Sequence, residues 1–268
     1  MNNLSIEKRS KGRPAMIKQT TPFNPTSIEV ITGAELEFDE AVFTPMQTGT
    51  VMDVILSTNG GLMPATNIVL CGGPGSGKST LVLDMLANMT RRGKRCLFVS
   101  GEMDEIGHYK YCRRMAQFAN VPTLFLKNYS AHVKQTLEHV FESGYDVIAI
   151  DSVAEILDMY KDTYKTTESA AELWFLDLQT KHKKGGNSNN KYTAFINIQQ
   201  VTKAGEFAGS NKLKHLVDAA LEMRKDKNTE ETYAIFTKNR NGNSDMRFTY
   251  QLNNTNIYYG VISRENHS

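Results

Sequence analysis

Gly72-Gly73-Pro74-Gly75-Ser76-Gly77-Lys78-Ser79 is the stretch of sequence that decides the fold. It matches the pattern G-x-x-x-x-G-K-[ST] in full, follows an apolar run at residues 68–71 and precedes a helical pattern that begins near Leu81. A strand, a glycine loop and a helix in this order are typical of a phosphate-binding loop, because the glycines let backbone N–H groups point at an anion. We therefore predict that residues 72–80, with Thr80 as the last, bind ATP. Lys78 would reach its β- and γ-phosphates, and the Ser79 hydroxyl would hold Mg²⁺.

The composition is that of a globular protein. Hydrophobic residues make up 40% of the 268 positions, and a net charge of +2 gives by itself no argument for a nucleic-acid partner. Cys71, Cys96 and Cys112 are far apart, which argues against a disulfide framework or a zinc site and favours a reducing compartment. No apolar run is long enough to span a membrane, and the N-terminus carries no apolar signal segment. We expect a cytoplasmic protein without a membrane partner.

Charge and composition divide the chain into three parts. Residues 1–20 contain five lysines and arginines and one glutamate, with little apolar content, which is typical of a disordered basic tail. We predict a flexible basic N-terminal arm over residues 1–50, a core over residues 51–262 and a short tail over residues 263–268. The basic tail either lies along nucleic-acid phosphates or is only solvated, and the role of residues 1–50 stays open.

Strand patterns alternate with helical patterns through most of the core. This alternation predicts an α/β fold with a mostly parallel central sheet and helices on both faces. Four short strand patterns after residue 218 predict an antiparallel C-terminal extension of that sheet. Helices are predicted over residues 51–62 and 105–119, and Trp174 lies in the apolar stripe of a later helix. Its spacing favours core packing over a base-stacking role.

Acidic residues follow two of the predicted strands. Ligands of parallel sheets bind at the carboxyl ends of the strands, where the glycine loop, Glu102 and Asp151 all fall. A carboxylate at Asp151 predicts a Mg²⁺ contact shared with Ser79, although an Asp there also caps a turn. Many ATPases have a Glu directly after this Asp, and here the residue is Ser152. We therefore predict that Glu102 is the base that activates water, with Glu105 as the alternative.

Two further polar elements fit the same chemistry. Gln199 and Gln200 end another strand at this edge, and we predict that one of them senses the γ-phosphate. Gln200 is the preferred candidate, and Gln199 is the alternative. Lys238 and Arg240 border a predicted turn. They are either plain surface charges or cations that contact ATP bound to a neighbouring subunit.

Four stretches taken together resemble the RecA-like ATPases, most closely the ATPase core of RadA/Sms proteins and next the DnaB-type helicases. Residues 72–81 resemble their phosphate loop, and residues 99–103 resemble the segment that carries their catalytic Glu. Residues 200–205 with 208–209 are similar to the RadA stretch after the sensor strand, where that family usually has His in place of Gln200. Residues 238–242, Lys-Asn-Arg-Asn-Gly, resemble the RadA Lys-Asn-Arg-Phe-Gly and DnaB Lys-x-Arg-Asn-Gly motifs. The resemblance covers about residues 50–260.

This resemblance implies an assembly. ATP would bind between the subunits of a homo-oligomeric ring or filament, with Lys238 and Arg240 acting on the neighbour's ATP. The loops at about residues 158–168 and 202–214 would face single-stranded DNA. The zinc finger and Lon-like domain of RadA and the helical domain of DnaB have no counterpart here. We therefore expect a stand-alone core in a bacterial or phage-infected cell. ATPase activity and DNA binding are expected of such a core, whereas branch migration and unwinding would depend on the other domains.

A basic segment supports contact with nucleic acid independently of the resemblance. Residues 181–214 contain seven lysines and one glutamate, a net charge of +6. Such glycine-containing loops suit non-specific phosphate contact, and we predict that Lys203, Lys212 and Lys214 contact single-stranded DNA. A solvated lysine-rich face is the alternative.

The predicted function is that of a Mg²⁺-dependent ATPase acting on single-stranded DNA in recombination, repair or replication. Replication or recombination proteins are possible partners. A nucleotide-switched assembly or signalling ATPase of the KaiC kind, without a DNA role, is the main alternative. A small-molecule kinase is a further alternative, for which the sequence shows no compact lid. The sequence does not separate a ring from a filament, or a helicase from a recombinase.

Overall fold

The computed structural model describes residues 30–200, 217–226, 229–244 and 246–264. Lys203, Lys212 and Lys214, predicted to contact DNA, lie outside the described residues, as do residues 1–29 of the predicted arm. The chain forms two compact units, Met1–Phe38 and Asp39–Ser268. In the first, the 3-10 turn Gly33–Glu35 is closed by the Glu35 carboxylate, which accepts hydrogen bonds from the Thr32 backbone and hydroxyl. The second unit contains every element described below.

The described residues of the second unit form a nine-stranded sheet. Its strands are β1 (Asn67–Gly72), β2 (Cys96–Ser100), β3 (Thr123–Phe125), β4 (Val147–Asp151), β5 (Ala194–Gln200), β6 (Ala219–Lys225), β7 (Thr232–Asn239), β8 (Met246–Leu252) and β9 (Ile257–Arg264). The strand order is β3-β2-β4-β5-β1-β6-β7-β8-β9. Strands β1 to β6 pair in parallel, whereas β7, β8 and β9 continue the sheet in antiparallel pairs. The predicted parallel sheet with an antiparallel C-terminal extension is confirmed.

Helices cover both faces of this sheet, as predicted. The α-helices of the described chain are α1 (Asp53–Leu56), α2 (Lys78–Arg91), α3 (Glu105–Arg114), α4 (Val133–Glu142), α5 (Val153–Tyr164) and α6 (Glu168–Lys183), and 3-10 segments occupy Glu40–Phe43, Ala116–Asn120 and Leu126–His132. Alternate residues of β4 divide between two cores, because side chains along a strand point to opposite faces. Val147 and Ala149 pack in the core that contains α2, whereas Ile148 and Ile150 pack with α4, α5 and α6.

Three local predictions were wrong. The helix predicted over residues 51–62 is only the single turn of α1, and the helix predicted to reach residue 119 ends at Arg114 and continues as a 3-10 segment. Residues 158–164 of the loop predicted to face DNA are the last turns of α5. The cause is the apolar stripe of Val153, Ile156 and Leu157, which is buried against the sheet. The turn between α5 and α6 is therefore confined to residues 165–167.

Trp174 packs between helices, as its spacing predicts. Its ring stacks on Tyr160 of α5 with a centroid distance of 4.2 Å and an interplanar angle of 15°. The indole N–H donates to the Glu138 carboxylate on α4 at 3.3 Å. The ring therefore joins three helices. Within the described ranges, none of the helices has the length and apolar character needed to cross a lipid bilayer.

Candidate functional site

The glycine loop joins the end of β1 to the start of α2. Gly75 and Gly77 have φ angles of +73° and +90°, a left-handed backbone that residues with a side chain rarely adopt. Lys78 is the first residue of α2. Its ammonium donates hydrogen bonds to the carbonyls of Gly72 and Gly73, both at 2.9 Å. The loop is thus curled around this side chain, and burial lowers the pKa of Lys78 while nearby Asp151 opposes that change.

Asp151 ends β4 and lies against the first turn of α2. Its carboxylate accepts a hydrogen bond from the Ser79 hydroxyl at 2.5 Å, and the residue is buried. Burial raises the pKa of Asp151 to about 6; the Ser79 hydrogen bond and the Lys78 charge oppose the rise, and Glu102 adds to it. A buried carboxylate beside a hydroxyl fits a divalent cation, which would restore the ionised form of the carboxylate. The ammonium and the curled loop beside them fit a phosphate.

Glu102 and Gln200 are in direct contact. The Gln200 amide donates to a carboxylate oxygen of Glu102 at 3.2 Å, although Glu102 follows β2 and Gln200 ends β5. Gln199 is buried, and its side chain points to the opposite face of the strand. Glu105 accepts a hydrogen bond from Asn128 on the surface. Of the residues left open by the sequence, Glu102 and Gln200 are therefore the pair placed at the glycine loop.

One cleft of about 510 Å³ brings these groups together. It lies at the carboxyl edge of the parallel strands and is lined by residues of the glycine loop together with Glu102, Asp151 and Gln200. The placement follows from the topology, because parallel strands deliver their carboxyl ends to one edge of the sheet. Six residues that the sequence did not predict complete the described lining: Tyr111, Arg114, Met115, Leu252, Asn253 and Asn254.

These additional residues come from α3 and Met115, which follows it, and from the end of β8 and the turn between β8 and β9. The Arg114 guanidinium lies 4.8 Å from the centre of the Tyr111 ring, as expected for residues three apart on a helix. That spacing is visible in the sequence. The contribution of β8 is not, since the Tyr250 hydroxyl donates at 2.9 Å to the carbonyl of Ser76, a residue 174 positions away. No local pattern predicts a contact between such distant segments.

Lys238 and Arg240 lie at the opposite edge of the sheet, which is the one formed by the amino ends of the parallel strands. Asn239 pairs with Ala219 at the start of β6, whereas Gly72 of the glycine loop pairs with Met223. Four residues of β6 separate these positions, which at the rise of an extended strand is about 13 Å. The chain therefore does not bring these two cations to its own cleft, and a role for them at an ATP site requires the cleft of a second subunit.

Two asparagines fix the segment that carries these cations. The Asn239 amide donates to the carbonyls of Ile55 and Leu56 in α1 at 3.0 and 3.3 Å. The Asn241 amide donates to the Thr66 hydroxyl at 2.9 Å. Arg240, between them, is 62% exposed. The Lys-Asn-Arg-Asn-Gly stretch thus places the exposed Arg240 between two anchoring asparagines.

The fold is shared with two solved structures. FlaH, a flagellar accessory protein from Methanocaldococcus jannaschii, matches 81% of this chain and 100% of its own length, with a TM-score of 0.60 and 12% sequence identity. The RadB recombinase matches 79% of the chain and 98% of its own length, with a TM-score of 0.54 and 17% identity. The fold is RecA-like. At these identities the likeness establishes the architecture alone.

Sequence comparison agrees with the likeness in fold. The family model described as "ATPase: KaiC" matches residues 46–121, a range that holds the glycine loop and Glu102 of this RecA-like chain. The DNA repair protein RadA of Campylobacter jejuni is 29% identical over 194 residues, or 72% of this chain and 41% of that protein. RadA of Rickettsia typhi is 26% identical over 249 residues, or 91% and 53% respectively. The predicted resemblance to RecA-like ATPases near RadA is confirmed, and the chain spans about half the length of these relatives.

Proposed function

We propose that this chain hydrolyses ATP with Mg²⁺ and couples hydrolysis to single-stranded DNA in recombination, repair or replication. The observation that carries the proposal is the single cleft in which the Ser79–Asp151 pair, Lys78 and the Glu102–Gln200 pair converge. Each of these groups has a distinct part in phosphoryl transfer to water. The similarity to RadA, whose name describes a DNA repair protein, supports the DNA part of the proposal. The proposed setting is the cytoplasm of a bacterial or phage-infected cell.

The loop and the start of α2 would bind the nucleotide and its metal ion. Lys78 would exchange its two bonds to the Gly72 and Gly73 carbonyls for phosphate oxygens. Ser79 and Asp151 would hold Mg²⁺, which when bound neutralises charge that develops on the phosphates. Tyr111 and Arg114 border the same cleft and offer an aromatic face and a cation.

Glu102 would act as the general base. Its carboxylate lies at the cleft edge, is exposed and already accepts one hydrogen bond from Gln200. That bond orients one carboxylate oxygen and leaves the other to accept a proton from water. Because the Gln200 amide touches both the cleft and the base, it is also placed to respond to a γ-phosphate. Any such response would be passed to residue 201 and beyond, which follow directly in the chain.

Lys238 and Arg240 would complete the ATP site of a neighbouring subunit in a homo-oligomer. Their position at the edge opposite the cleft supports a role in trans, because the two edges of successive subunits would face each other in a ring or filament. Lys203, Lys212 and Lys214 are proposed to contact DNA phosphates from the basic segment between β5 and β6. Replication or recombination proteins are proposed as further partners.

The first test is steady-state ATP hydrolysis with and without single-stranded DNA. We expect DNA to stimulate turnover, and Glu102→Gln to abolish the stimulated rate. Glu105→Gln is the matched control, since Glu105 is a nearby exposed carboxylate bonded to Asn128, and it should retain the wild-type rate. If Glu105→Gln and not Glu102→Gln loses turnover, the assignment of the base is wrong. A wild-type chain without turnover in either condition would contradict the enzymatic proposal.

A second candidate function is a nucleotide-switched assembly or signalling ATPase without a DNA role. The match of residues 46–121 to the model described as "ATPase: KaiC" favours it. This candidate uses the same cleft and the same Glu102, so the two functions differ in their response to DNA. Hydrolysis that single-stranded DNA leaves unchanged, together with no DNA binding in a titration at low salt, would select this candidate.

A further inference from the structure

Asp218 connects three separate elements at the edge of the sheet opposite the cleft. One carboxylate oxygen, Oδ2, accepts a hydrogen bond from the backbone N–H of Asn67 at 2.8 Å and one from the Lys183 ammonium at 2.7 Å. The other oxygen, Oδ1, lies 3.3 Å from the Arg240 guanidinium. The residue thus joins the start of β1, the end of α6 and the turn after β7.

The backbone of Asp218 is fixed as firmly as its side chain. Its N–H donates to the carbonyl of Asn67 at 2.8 Å, and its carbonyl accepts from the N–H of Arg240 at 3.0 Å. Two donors on Oδ2 set the plane of the carboxylate, so that Oδ1 faces Arg240. The carboxylate is 18% exposed, whereas the Arg240 side chain is 62% exposed. A well-held carboxylate therefore tethers a long side chain that otherwise extends into solvent.

The tether has little value for stability. An ion pair in which one partner is mostly exposed is screened by water and contributes little to the free energy of folding. It does restrict the rotamers of Arg240, whose free side chain would sample many orientations. Restricting a side chain before it meets its target lowers the entropy lost on contact.

We propose that Asp218 is a positioning residue for the ATP site of the neighbouring subunit, because it holds the Arg240 guanidinium extended from the sheet edge. The inference rests on the proposed role of Arg240 in trans. In this arrangement Asp218 acts on the neighbour's ATP site only through Arg240. It lies five residues before Met223, which pairs with Gly72 of the glycine loop, so we expect its own subunit's cleft to be unaffected.

The test compares Asp218→Asn with wild type, in the full chain, by steady-state kinetics and equilibrium ATP binding. Asparagine keeps an oxygen for the Asn67 N–H and removes the charge that holds Arg240. We expect kcat to fall roughly tenfold to a hundredfold, as for a misplaced catalytic group. ATP affinity and the melting temperature should stay near wild type. Glu142→Gln is the matched control, because it removes the carboxylate of another α6 lysine pair, with Lys181 at 2.7 Å, and should leave kcat unchanged.

A double variant tests whether Asp218 acts through Arg240. If it does, Asp218→Asn causes no further loss of kcat in an Arg240→Ala background. Equal losses in both backgrounds would overturn the positioning role while leaving Arg240 itself in place. An Arg240→Ala chain with wild-type kcat would instead contradict the proposed trans role, and an inactive wild type would overturn both.

Mixed assemblies give a readout that a folding defect does not mimic. Asp218→Asn subunits keep an intact cleft, whereas Lys78→Ala subunits keep an intact Asp218–Arg240 pair. Mixing the two should yield more hydrolysis than the sum of the separate preparations, because an intact cleft then meets a correctly held Arg240. Recovery in the mixture also shows that the Asp218→Asn subunit is folded. No recovery, with mixed assembly verified by light scattering and pull-down, would overturn the inference.

Discussion

The two edges of the central sheet differ in how many of the candidate functional groups they bring together. The carboxyl edge gathers a phosphate loop, a buried carboxylate and the Glu102–Gln200 pair into one cleft. The opposite edge carries Asp218 and the anchored segment with Lys238 and Arg240, and the Arg240 side chain is mostly exposed. One edge therefore holds the proposed ATP site, and the other holds the residues proposed to act on a second subunit.

The two motifs at these edges depend on contacts of different range. The glycine loop works through local backbone geometry, since its left-handed glycines and the start of α2 lie within a few residues of each other. The Lys-Asn-Arg-Asn-Gly stretch needs long-range anchors in α1 and at Thr66 to present its cations. Variants at the two edges should therefore separate binding, turnover and stability.

The largest expected effect is at the cleft. Lys78→Ala removes the ammonium around which the loop is curled, so ATP binding should be lost and turnover should fall by a factor of about 10² to 10³ or more. Equilibrium nucleotide binding and steady-state hydrolysis measure both. Lys110→Ala, an exposed lysine of α3, is the control and should leave both unchanged. Wild-type nucleotide affinity in the Lys78→Ala chain would break the assignment of this edge as the nucleotide site.

The next effect is at the opposite edge and concerns turnover alone. Arg240→Ala should lower kcat at least about a hundredfold, because a cation that stabilises the transition state is lost, while the chain's own cleft still binds ATP. Arg264→Ala is the control, since it removes an exposed arginine at the same edge from the outermost strand. A loss of ATP affinity equal to the loss of kcat would mean that Arg240 acts on its own cleft, which the register of β1, β6 and β7 does not predict.

A smaller effect, on stability, distinguishes the anchoring asparagines from Arg240 within residues 238–242. Asn239→Ala removes the donor to the Ile55 and Leu56 carbonyls, and should lower the free energy of unfolding by about 1–3 kcal/mol. Denaturant unfolding measures it. Arg240→Ala is the comparison and should leave stability near wild type, because its side chain is mostly exposed. The reverse order of the two stabilities would contradict the division into anchors and cations.

The sequence predicted the elements whose signals are local. The glycine loop, the strand ends at Asp151 and Gln200 and the sheet itself follow from short patterns of glycine, apolar residues and alternation. The α5 helix was missed because the sequence places it directly after a strand and before a second helix, with only residues 165–167 between them. The apolar stripe that buries it, at residues 153–157, was not interpreted, and the loop was predicted over residues 158–168 that follow it.

The parts of the site that sequence could not supply depend on contacts between distant segments. Asp218 was not singled out, because its partners Asn67, Lys183 and Arg240 are 151, 35 and 22 residues away. The choice between Gln199 and Gln200 depends on which side of β5 faces the cleft, which only the assembled sheet decides. The turn after β8 also lines the cleft beside the glycine loop only because the assembled sheet brings these distant segments together.

The smallest expected effect concerns the support of the glycine loop by β8. The Tyr250 hydroxyl donates to the Ser76 carbonyl, and burial raises the pKa of Tyr250 to about 12, so the hydroxyl remains a donor at neutral pH. Tyr250→Phe should cost about 0.5–1.5 kcal/mol of stability and weaken ATP binding several-fold, because one carbonyl of the loop loses its partner. Tyr129→Phe, at an exposed tyrosine of the 3-10 segment Leu126–His132, is the control and should change neither. Thermal unfolding and nucleotide titration of both variants measure these effects. Equal effects in the two variants would show that β8 does not specifically stabilise the loop, and that the parallel strands alone determine the shape of the cleft.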